Sequence, residues 1–543
     1  MSRVGRFLTH HWPLLAGAGL LLAVTAGLLA ASIARTGGRL VYPLDDPYIH
    51  MAMAKNFSQH GVWGITKYGF TSSSSSPLWT LLLSLVYLVA GPNEPALLIL
   101  NLVFAVLVLM LVDRLTGRHG LNQWMRFAVL VGLVMLVPLP AVLFTGQEHV
   151  LQVFLSIAFV WAAAETLTEK QRTWRVAVLG LLLTATRYEG MFLVLLVAGL
   201  LVARRRARAG LVVVGAGLLP IVAYGVVSVA QGWYFLPNSV LMKSHFVQQA
   251  ARLIHSGVGW PEFWKALANL AGFWGLKQIA TTPHVVAPFL VVLLLGAVLL
   301  RARPGFWRRE MVFGFLSLAA AFLHTQFARP GPLHRYEAYL VGLGVTAIGI
   351  MFASMPRDRT RARVVGVAVG LALAVMGWEG ARTIVQVPLS SRNIFEQQYQ
   401  MGLFLRQFYQ NEAVAANDMG AVNYLADIRC LDTWGLASMD VARAKARAGL
   451  SSELLGKLAD SAGVRVAVVY DVWLTGGMAG GVPRQWAKVG CWRIRDNIAS
   501  ACDSVTFFAC RPEEQVRLAG CLRQYSPRLP STVVQTGTYV SGR

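Results

Sequence analysis

Charged residues are scarce in this sequence, and acidic residues are the scarcer kind. Only 14% of the 543 residues are charged, with 26 acidic against 49 basic, whereas 55% are hydrophobic. A soluble core of this size does not need so apolar a composition, so the sequence excludes an ordinary soluble protein and indicates a membrane protein. The net charge of +23 would suggest nucleic-acid binding in a soluble chain. Here the arginines form short clusters between apolar runs, as cytoplasmic loops do, and we expect no nucleic-acid partner.

Cysteine is also scarce, and it is confined to the polar C-terminal part of the chain. The sequence contains five cysteines, which are Cys430, Cys491, Cys502, Cys510 and Cys521. An odd number excludes a complete disulfide framework, so at most two bridges can form.

Long apolar runs predict a multi-pass membrane domain over residues 1–380. A span needs about 17–25 apolar residues, so the short run Leu78–Ala90 is interpreted as a helix along the outer interface. Trp12–Ile33 is too long for a signal peptide and is interpreted as an uncleaved anchor. We expect about eleven spans, at Trp12–Ile33, Ala96–Val112, Phe127–Phe144, His149–Ala164, Val176–Thr186, Met191–Ala203, Leu211–Ala230, Val285–Leu300, Met311–Phe327, Ala338–Ala353 and Val364–Trp378.

The positive-inside rule orients these spans, because this arrangement leaves every arginine cluster inside and every mixed polar motif outside. We expect a bacterial inner (cytoplasmic) membrane protein whose outer loop 35–95 faces the periplasmic side. Another outer loop, about 244–283, contains amphipathic pieces around Phe263–Phe273.

The tail 381–543 is predicted to be a separate extracytoplasmic α/β domain. Val414–Ala416 and Val464–Tyr470 have the pattern of short buried strands, and Ala421–Ala426 and Ser452–Ala459 that of helices. The fold class expected for the whole chain is therefore an α-helical polytopic membrane protein with a C-terminal α/β domain.

Ionisable residues recur in the outer motifs, beginning with Asp45 and Asp46 directly before a predicted helix. The two acids could simply cap that helix, Glu148 could cap another, and Arg187 could pair with Glu189. Lys243 could extend to the lipid headgroups. Ionisable residues at membrane level are functional by default, however, so their occurrence on one face favours a site.

These motifs resemble the GT-C glycosyltransferases, multispanning enzymes that use sugars on polyprenyl phosphate. Asp45-Asp46-Pro47-Tyr48, followed by Gly61-Val-Trp63 and Ser76-Pro-Leu-Trp79, is similar to their first outer loop and juxtamembrane helices. The Asp-Pro-Tyr triplet is similar to that of oligosaccharyltransferase catalytic subunits. Aligning Gly61 and Trp63 with lipid A aminoarabinose transferases places Asp46 on their catalytic aspartate.

The strongest resemblance is to bacterial arabinofuranosyltransferase-type members, and it covers about residues 1–380. It consists of Gly146-Gln-Glu148, Arg187-Tyr-Glu-Gly190 and Leu236-Pro-Asn-Ser239 with Lys243, in the order of that family. Tyr188 stands where proline is usual. The C-terminal tail shows no comparable resemblance.

The resemblance implies transfer of a sugar, arabinofuranose or another pentose or hexose, to an extracytoplasmic glycan, lipid or protein hydroxyl. The acceptor needs a carboxylate base and the leaving phosphate needs positive charge. Asp46 is the expected base, with Asp45 or Glu148 orienting the acceptor; which of the two aspartates is the base stays open. Lys243 and Arg335, with Arg187 or His334, are expected to hold the phosphate. The other candidate binding residues are Asn238, Glu189, His50, Tyr48 and Glu337.

The donor already carries an activated sugar, so we expect no required cofactor. A divalent cation between carboxylates is compatible with the sequence, but no ligand spacing demands one. Two other functions stay open: a transporter or flippase of a lipid-linked sugar, and a non-catalytic assembly protein whose outer domain binds. The transporter predicts an inverted repeat, which the sequence does not show.

Overall fold

The computed structural model describes residues 3–169, 172–243, 275, 277–328, 330–356, 358–447 and 449–540. The predicted amphipathic pieces around 263–273 lie outside these residues. The helices α1–α15 are Arg3–Arg35, Asp46–His60, Pro77–Ala90, Pro95–Arg118, Gln123–Leu136, Leu139–Phe144, His149–Glu169, Thr173–Thr186, Gly190–Ala203, Ala207–Ala230, Asn238–Lys243, Pro283–Ala302, Arg309–Phe327, Ala338–Ala353 and Arg359–Ile394. The helices α16–α21 are Gln400–Phe408, Gly420–Leu425, Met439–Arg447, Ser452–Ser461, Asp471–Trp473 and Glu514–Tyr525.

Seven helices of the described residues are long and apolar enough to cross a membrane, which confirms a multi-pass membrane protein. The other four predicted spans also coincide with apolar helices, but these are short. Proline divides one of them, because α5 ends at Leu136 and α6 begins at Leu139 after Pro138. A helix such as α8, with 14 residues, is about 21 Å long against a hydrocarbon core of about 30 Å. The count of eleven spans therefore stays a prediction.

The chain divides into two compact units. The first contains Met1–Leu29, Leu97–Ala223 and Ser244–Val387, and the second contains Ala30–Ala96, Tyr224–Lys243 and Pro388–Arg543. The second unit thus contains both the segment 35–95 and the C-terminal tail, which the sequence analysis places in different domains. The predicted boundary at 380/381 falls inside α15, which continues to Ile394 and is followed by a π-turn, Phe395–Tyr399.

The first unit is built around α7, most of whose residues are buried among other helices. Small residues let its neighbours approach closely; a Cβ on Gly342 of α14 would lie 3.0 Å from Val153 of α7. Tight packing of this kind replaces a hydrophobic driving force between helices in lipid. It fixes the position of Glu148, the residue directly before α7.

The second unit contains a six-stranded sheet with the order β2-β1-β3-β5-β4-β6. The strands β1–β6 are Ala413–Ala416, Arg429–Asp432, Val466–Val469, Ala487–Arg493, Ser504–Ala509 and Val534–Gly537. Strand β1 pairs in parallel with β2 and β3, and the remaining pairs are antiparallel.

The inner strands β1 and β3 of this sheet are buried on both faces. Val414 and Val466 face one hydrophobic cluster, whereas Ala415 and Ala467 face the other. Continuous apolar strands are what a doubly covered parallel core requires. Both predicted strands and both predicted helices of the tail are present, which confirms the fold class of a helical membrane protein with a C-terminal α/β domain.

Candidate functional site

In the second unit, the side chain of Asp45 binds main-chain groups rather than another side chain. It precedes α2, and its Oδ2 accepts the N–H of Gly420 at 2.7 Å while its Oδ1 accepts the N–H of Ala421 at 2.8 Å. These N–H groups belong to the first turn of α17, where a helix leaves its donors without internal partners. Both oxygens of Asp45 are therefore occupied by the C-terminal tail.

Gly420 is required for this contact. A Cβ at that position would lie 2.1 Å from the main-chain oxygen of Asp45 and 2.7 Å from its Oδ2. Only glycine lets the main chain approach the aspartate so closely.

A third carboxylate, Asp418, lies near Asp45. Asp418 follows β1 and accepts hydrogen bonds from the hydroxyl of Tyr470 at 2.5 Å and from Gln398 Nε2 at 2.8 Å. Burial, followed by the charge of Asp418, raises the pKa of Asp45 to about 8, with a smaller contribution from Asp46. The two N–H donors favour the ionised form but do not outweigh these causes.

Sequence reasoning missed Asp418, although a signal for it existed. The predicted strand at Val414–Ala416 ends two residues before it, and the carboxyl ends of parallel strands are where α/β sheets place functional groups. Moreover, β1 lies between β2 and β3, so Asp418 stands at the point where the strand order reverses.

Asp46 is half-buried and is the first residue of α2. Two other predicted site residues on this helix are fully packed. The Nδ1 of His50 lies 2.8 Å from Thr80 Oγ1, and the hydroxyl of Tyr48 accepts the main-chain N–H of Tyr42 at 3.1 Å. Both side chains are buried, so each has a structural role that accounts for its presence.

The Leu-Pro-Asn-Ser motif connects two loops within the second unit. Asn238 donates its main-chain N–H to the carbonyl of Ser72 at 2.9 Å and its side-chain amide to the carbonyl of Gly435 at 2.8 Å. Ser73 donates in turn to the carbonyl of Leu436 at 3.0 Å. Lys243 ends helix α11, and its side chain lies outside what the structure describes.

In the first unit, three predicted site residues form a buried ion cluster. Arg187 donates from Nη1 to Glu148 at 2.8 Å and from Nη2 to Glu189 at 2.7 Å. Burial alone would raise the pKa of Glu189, but the Arg187 guanidinium lowers it below its usual value. Burial would likewise lower the pKa of Arg187, and the two carboxylates raise it instead. Both partners of the Arg187–Glu189 pair are thus held in their charged forms.

Gly190 of the Arg-x-Glu-Gly motif explains how Arg187 reaches Glu148. A Cβ on Gly190 would lie 2.8 Å from the side chain of Leu183 and 3.1 Å from its main chain. The close approach of α8 and α9 therefore requires glycine here. This close approach holds the loop between the two helices, which contains Arg187 and Glu189, in a tight turn.

A second arginine of the first unit, Arg335, donates to an amide oxygen and to a phenol. It donates to Gln147 Oε1 at 2.7 Å and to the hydroxyl of Tyr336 at 3.0 Å. The guanidinium groups of both Arg187 and Arg335 lie over the Tyr336 ring, 4.8 and 4.7 Å from its centroid. The main chain before Arg335 is strained, since Leu333 and His334 have φ of 57° and 55°. Strain of this kind concentrates at functional sites.

His334 and Glu337 flank Arg335 in the same loop. The ring of His334 stacks on that of His284 with centroids 3.9 Å apart. Burial and the nearby Arg382 lower the pKa of His334 to about 4, so at pH 7 this imidazole is neutral and supplies no positive charge. Burial raises the pKa of Glu337 to about 7, and its carboxylate accepts the main-chain N–H of Gly331.

The described residues contain no group of three or more His, Cys, Asp or Glu side chains arranged to hold a metal ion. All five cysteines are free thiols.

A family model for a domain of unknown function (DUF8728) matches residues 392–508 of the chain. This match covers the sheet domain from the end of α15 to strand β5 and carries no activity. No curated protein matches the chain.

Two crystal structures of ArnT from Cupriavidus metallidurans are similar to the chain over most of its length. The structure bound to undecaprenyl phosphate has 12% sequence identity and a TM-score of 0.42, and the match covers 91% of this chain and 99% of that chain. The apo structure has the same identity and TM-score, with 92% and 99% covered. The chain is therefore similar to ArnT nearly from end to end, at an identity and a TM-score too low to assign a function.

Proposed function

We propose that this chain is a membrane glycosyltransferase of the GT-C type, with Asp46 as its general base. It transfers a sugar from a polyprenyl-phosphate donor to a hydroxyl of an extracytoplasmic glycan, lipid or protein acceptor. The contact that carries the proposal is that of Asp45 with the C-terminal tail, because both of its carboxylate oxygens accept main-chain N–H groups there. This contact supports a positioning role for Asp45, and the motif resemblance assigns Asp46 to the acceptor.

The reaction needs one proton acceptor and one anion site. The acceptor hydroxyl gives its proton to the Asp46 carboxylate as its oxygen attacks the anomeric carbon. The bond from that carbon to the phosphate oxygen breaks, and polyprenyl phosphate leaves with the electron pair. Lys243, Arg335 and Arg187 are the cations assigned to the phosphate. His334, neutral at pH 7, would contribute a hydrogen bond only.

Asp45 then acts as a positioning residue. By accepting the N–H groups of Gly420 and Ala421, it holds the loop before α2 against α17. The C-terminal α/β domain thereby fixes the main chain from which Asp46 projects. This gives the tail a role in catalysis that does not require it to touch the substrate.

The motif resemblance supports arabinofuranose or another pentose or hexose as the sugar, and it supports the outer face of a bacterial inner membrane as the place of reaction. The sugar is already activated in the donor, so the proposed reaction requires no cofactor.

The decisive experiment incubates purified full-length protein with a panel of polyprenyl-phosphate sugars and acceptor glycans. Mass spectrometry of the lipid fraction then measures release of polyprenyl phosphate. We expect release from one donor class, an acceptor longer by one sugar, and loss of both in Asp46→Asn but not in the exposed control Asp503→Asn. A transporter would instead move the donor lipid across vesicles without forming product. Intact donor across the whole panel, or full activity in Asp46→Asn, would contradict the proposal.

A further inference from the structure

Three arginines of the second unit line one open cavity of about 500 Å³. Arg39 lies in the loop after α1, Arg406 in α16, and Arg528 in a short 3₁₀ turn, Ser526–Arg528, after α21. None of them belongs to the proposed transfer site. The remaining lining residues are Phe395, Gln400, Leu403, Gln407 and Tyr525.

These arginines differ from others in the same domain because no described carboxylate pairs with them. Arg517, by contrast, lies 3.1 Å from Glu514, and Arg465 lies 2.8 Å from Glu412. Arg39 donates instead to the hydroxyl of Tyr399 at 3.3 Å, and Arg528 donates to Gln407 Oε1 at 2.8 Å. Like charges gathered without a counter-ion repel each other, so a cavity lined by them favours an anion.

The cavity also has polar groups besides the arginines, which could bind the uncharged part of an anionic ligand. Gln400 accepts the hydroxyl of Tyr525 at 2.9 Å through its oxygen, which leaves its amide nitrogen as a donor. Burial raises the pKa of Tyr525 to about 12, and the charges of Arg528 and Arg39 oppose that rise, as expected if both act on the same phenol. Arg406 also lines a second cavity of about 320 Å³ with Lys55, Glu94 and Asp427, whose polar groups suit hydroxyls.

We propose that Arg39, Arg406 and Arg528 form a binding site for a phosphate group whose remainder carries hydroxyls. Guanidinium groups bind phosphate through two parallel N–H bonds, which an ammonium cannot do. Arg39 follows Arg35, the last residue of a candidate membrane span, by four residues. The phosphate therefore belongs to an anionic lipid headgroup or to a soluble phosphorylated glycan.

The test measures binding of inorganic pyrophosphate to full-length protein in detergent by titration calorimetry, at constant ionic strength. Wild type should bind, and Arg406→Gln/Arg528→Gln should bind roughly 10-fold to 100-fold more weakly because charge-assisted contacts are lost. Arg447→Gln/Arg484→Gln is the matched control, since it removes two exposed arginines of the same domain that line neither cavity. It should bind as wild type does.

A second arm identifies the source of the phosphate. Native mass spectrometry counts lipids retained from nanodiscs that contain phosphatidylglycerol and phosphatidylcholine. Loss of bound phosphatidylglycerol in the double variant assigns the site to a lipid headgroup, and unchanged retention assigns it to a soluble phosphorylated ligand.

If the double variant melts below wild type, both experiments are repeated with the single variant Arg39→Gln, which changes a loop residue. Equal pyrophosphate affinity in variant and control, or no binding by wild type, would overturn the proposal. Neither arm measures sugar transfer, so the result is independent of the proposed function.

Discussion

The two units neutralise their buried carboxylates in opposite ways. In the first unit, Glu148 and Glu189 share one guanidinium, that of Arg187, so each carboxylate has a cationic partner. In the second unit, Asp45 is stabilised by two main-chain N–H groups and lies near two other carboxylates, Asp46 and Asp418. The first arrangement fixes charges in place. The second raises the pKa of Asp45 to about 8, so the protonation of this carboxyl group changes near neutral pH.

This difference separates two tasks that a transfer reaction requires. A fixed pattern of cations can bind a phosphate without reorganising, which is how preorganised sites stabilise developing charge. A proton acceptor must instead change its protonation during the reaction, and it works best when its pKa lies near the working pH. In the proposed function, Asp46 has the second task, and Lys243, Arg335 and Arg187 share the first.

The largest expected effect is on turnover, in Asp46→Asn. The substitution keeps the size of the side chain but cannot accept the acceptor's proton, so the initial transfer rate should fall by about 10²–10⁴. The melting temperature should stay close to that of wild type. Asp45→Asn should lose less activity, because it alters the support of the loop and not the base. If Asp46→Asn turns over at the wild-type rate, or if both variants lose only stability, helix capping explains the pair better than catalysis.

Removing Arg187, the cation between Glu148 and Glu189 in the first unit, should lower the stability of the fold. Arg187→Gln leaves Glu148, whose side chain is 0% exposed, without its positive partner. Breaking a buried pair in this way costs about 3–5 kcal/mol, which thermal unfolding in detergent would detect. The matched control is Lys457→Gln in an exposed pair, where Lys457 and Glu453 are 70% and 77% exposed. It should cost less than about 1 kcal/mol. Similar losses in the two variants would mean that the buried cluster is solvated.

Lys243→Ala should weaken binding of the polyprenyl-phosphate donor by about 1.5–3 kcal/mol, since a phosphate loses a charge-assisted contact. Donor affinity can be measured by fluorescence quenching with a labelled lipid. Lys488→Ala, at an exposed residue of the sheet domain, is the control. Donor affinity equal to that of wild type in Lys243→Ala would remove this residue from the phosphate site.

Sequence patterns predicted the elements of this protein better than the contacts between them. Hydropathy located the apolar helices, and short apolar runs located β1 and β3, because these signals are local. The partners of Asp45 could not be predicted, since Gly420 and Ala421 are some 375 residues away in the chain. The sequence analysis predicts the pair of Arg187 with Glu189 as a structural alternative, because the two residues are only two positions apart. It does not predict the bond from Arg187 to Glu148, which lies 39 residues away in the chain.

Two of the predicted site residues show why residue type alone is a weak guide. His50 and His334 were chosen as imidazoles in polar motifs. Their surroundings also give each a structural explanation: a buried hydrogen bond to Thr80 holds His50, and burial lowers the pKa of His334 so that it is neutral at pH 7. Asp418 shows the converse limit of reasoning from motifs. It lies outside every motif of the resemblance, and only its place at the end of a parallel strand could have identified it.

The smallest expected effect is a change in how stability depends on pH, and it tests the unusual state of Asp45. Its pKa is about 8 in the folded protein against an ordinary value of 3.8. Between these pH values the folded chain holds a proton that the unfolded chain has released, so stability decreases as pH rises from about 4 to about 8. Asp45→Asn cannot titrate, so its melting temperature should fall less steeply over this range. Glu337, whose pKa is also raised, keeps part of the slope in both proteins. The control Asp503→Asn should keep the full wild-type slope. A wild-type slope in Asp45→Asn would mean that Asp45 is ionised throughout, held by its two N–H donors against its acidic neighbours.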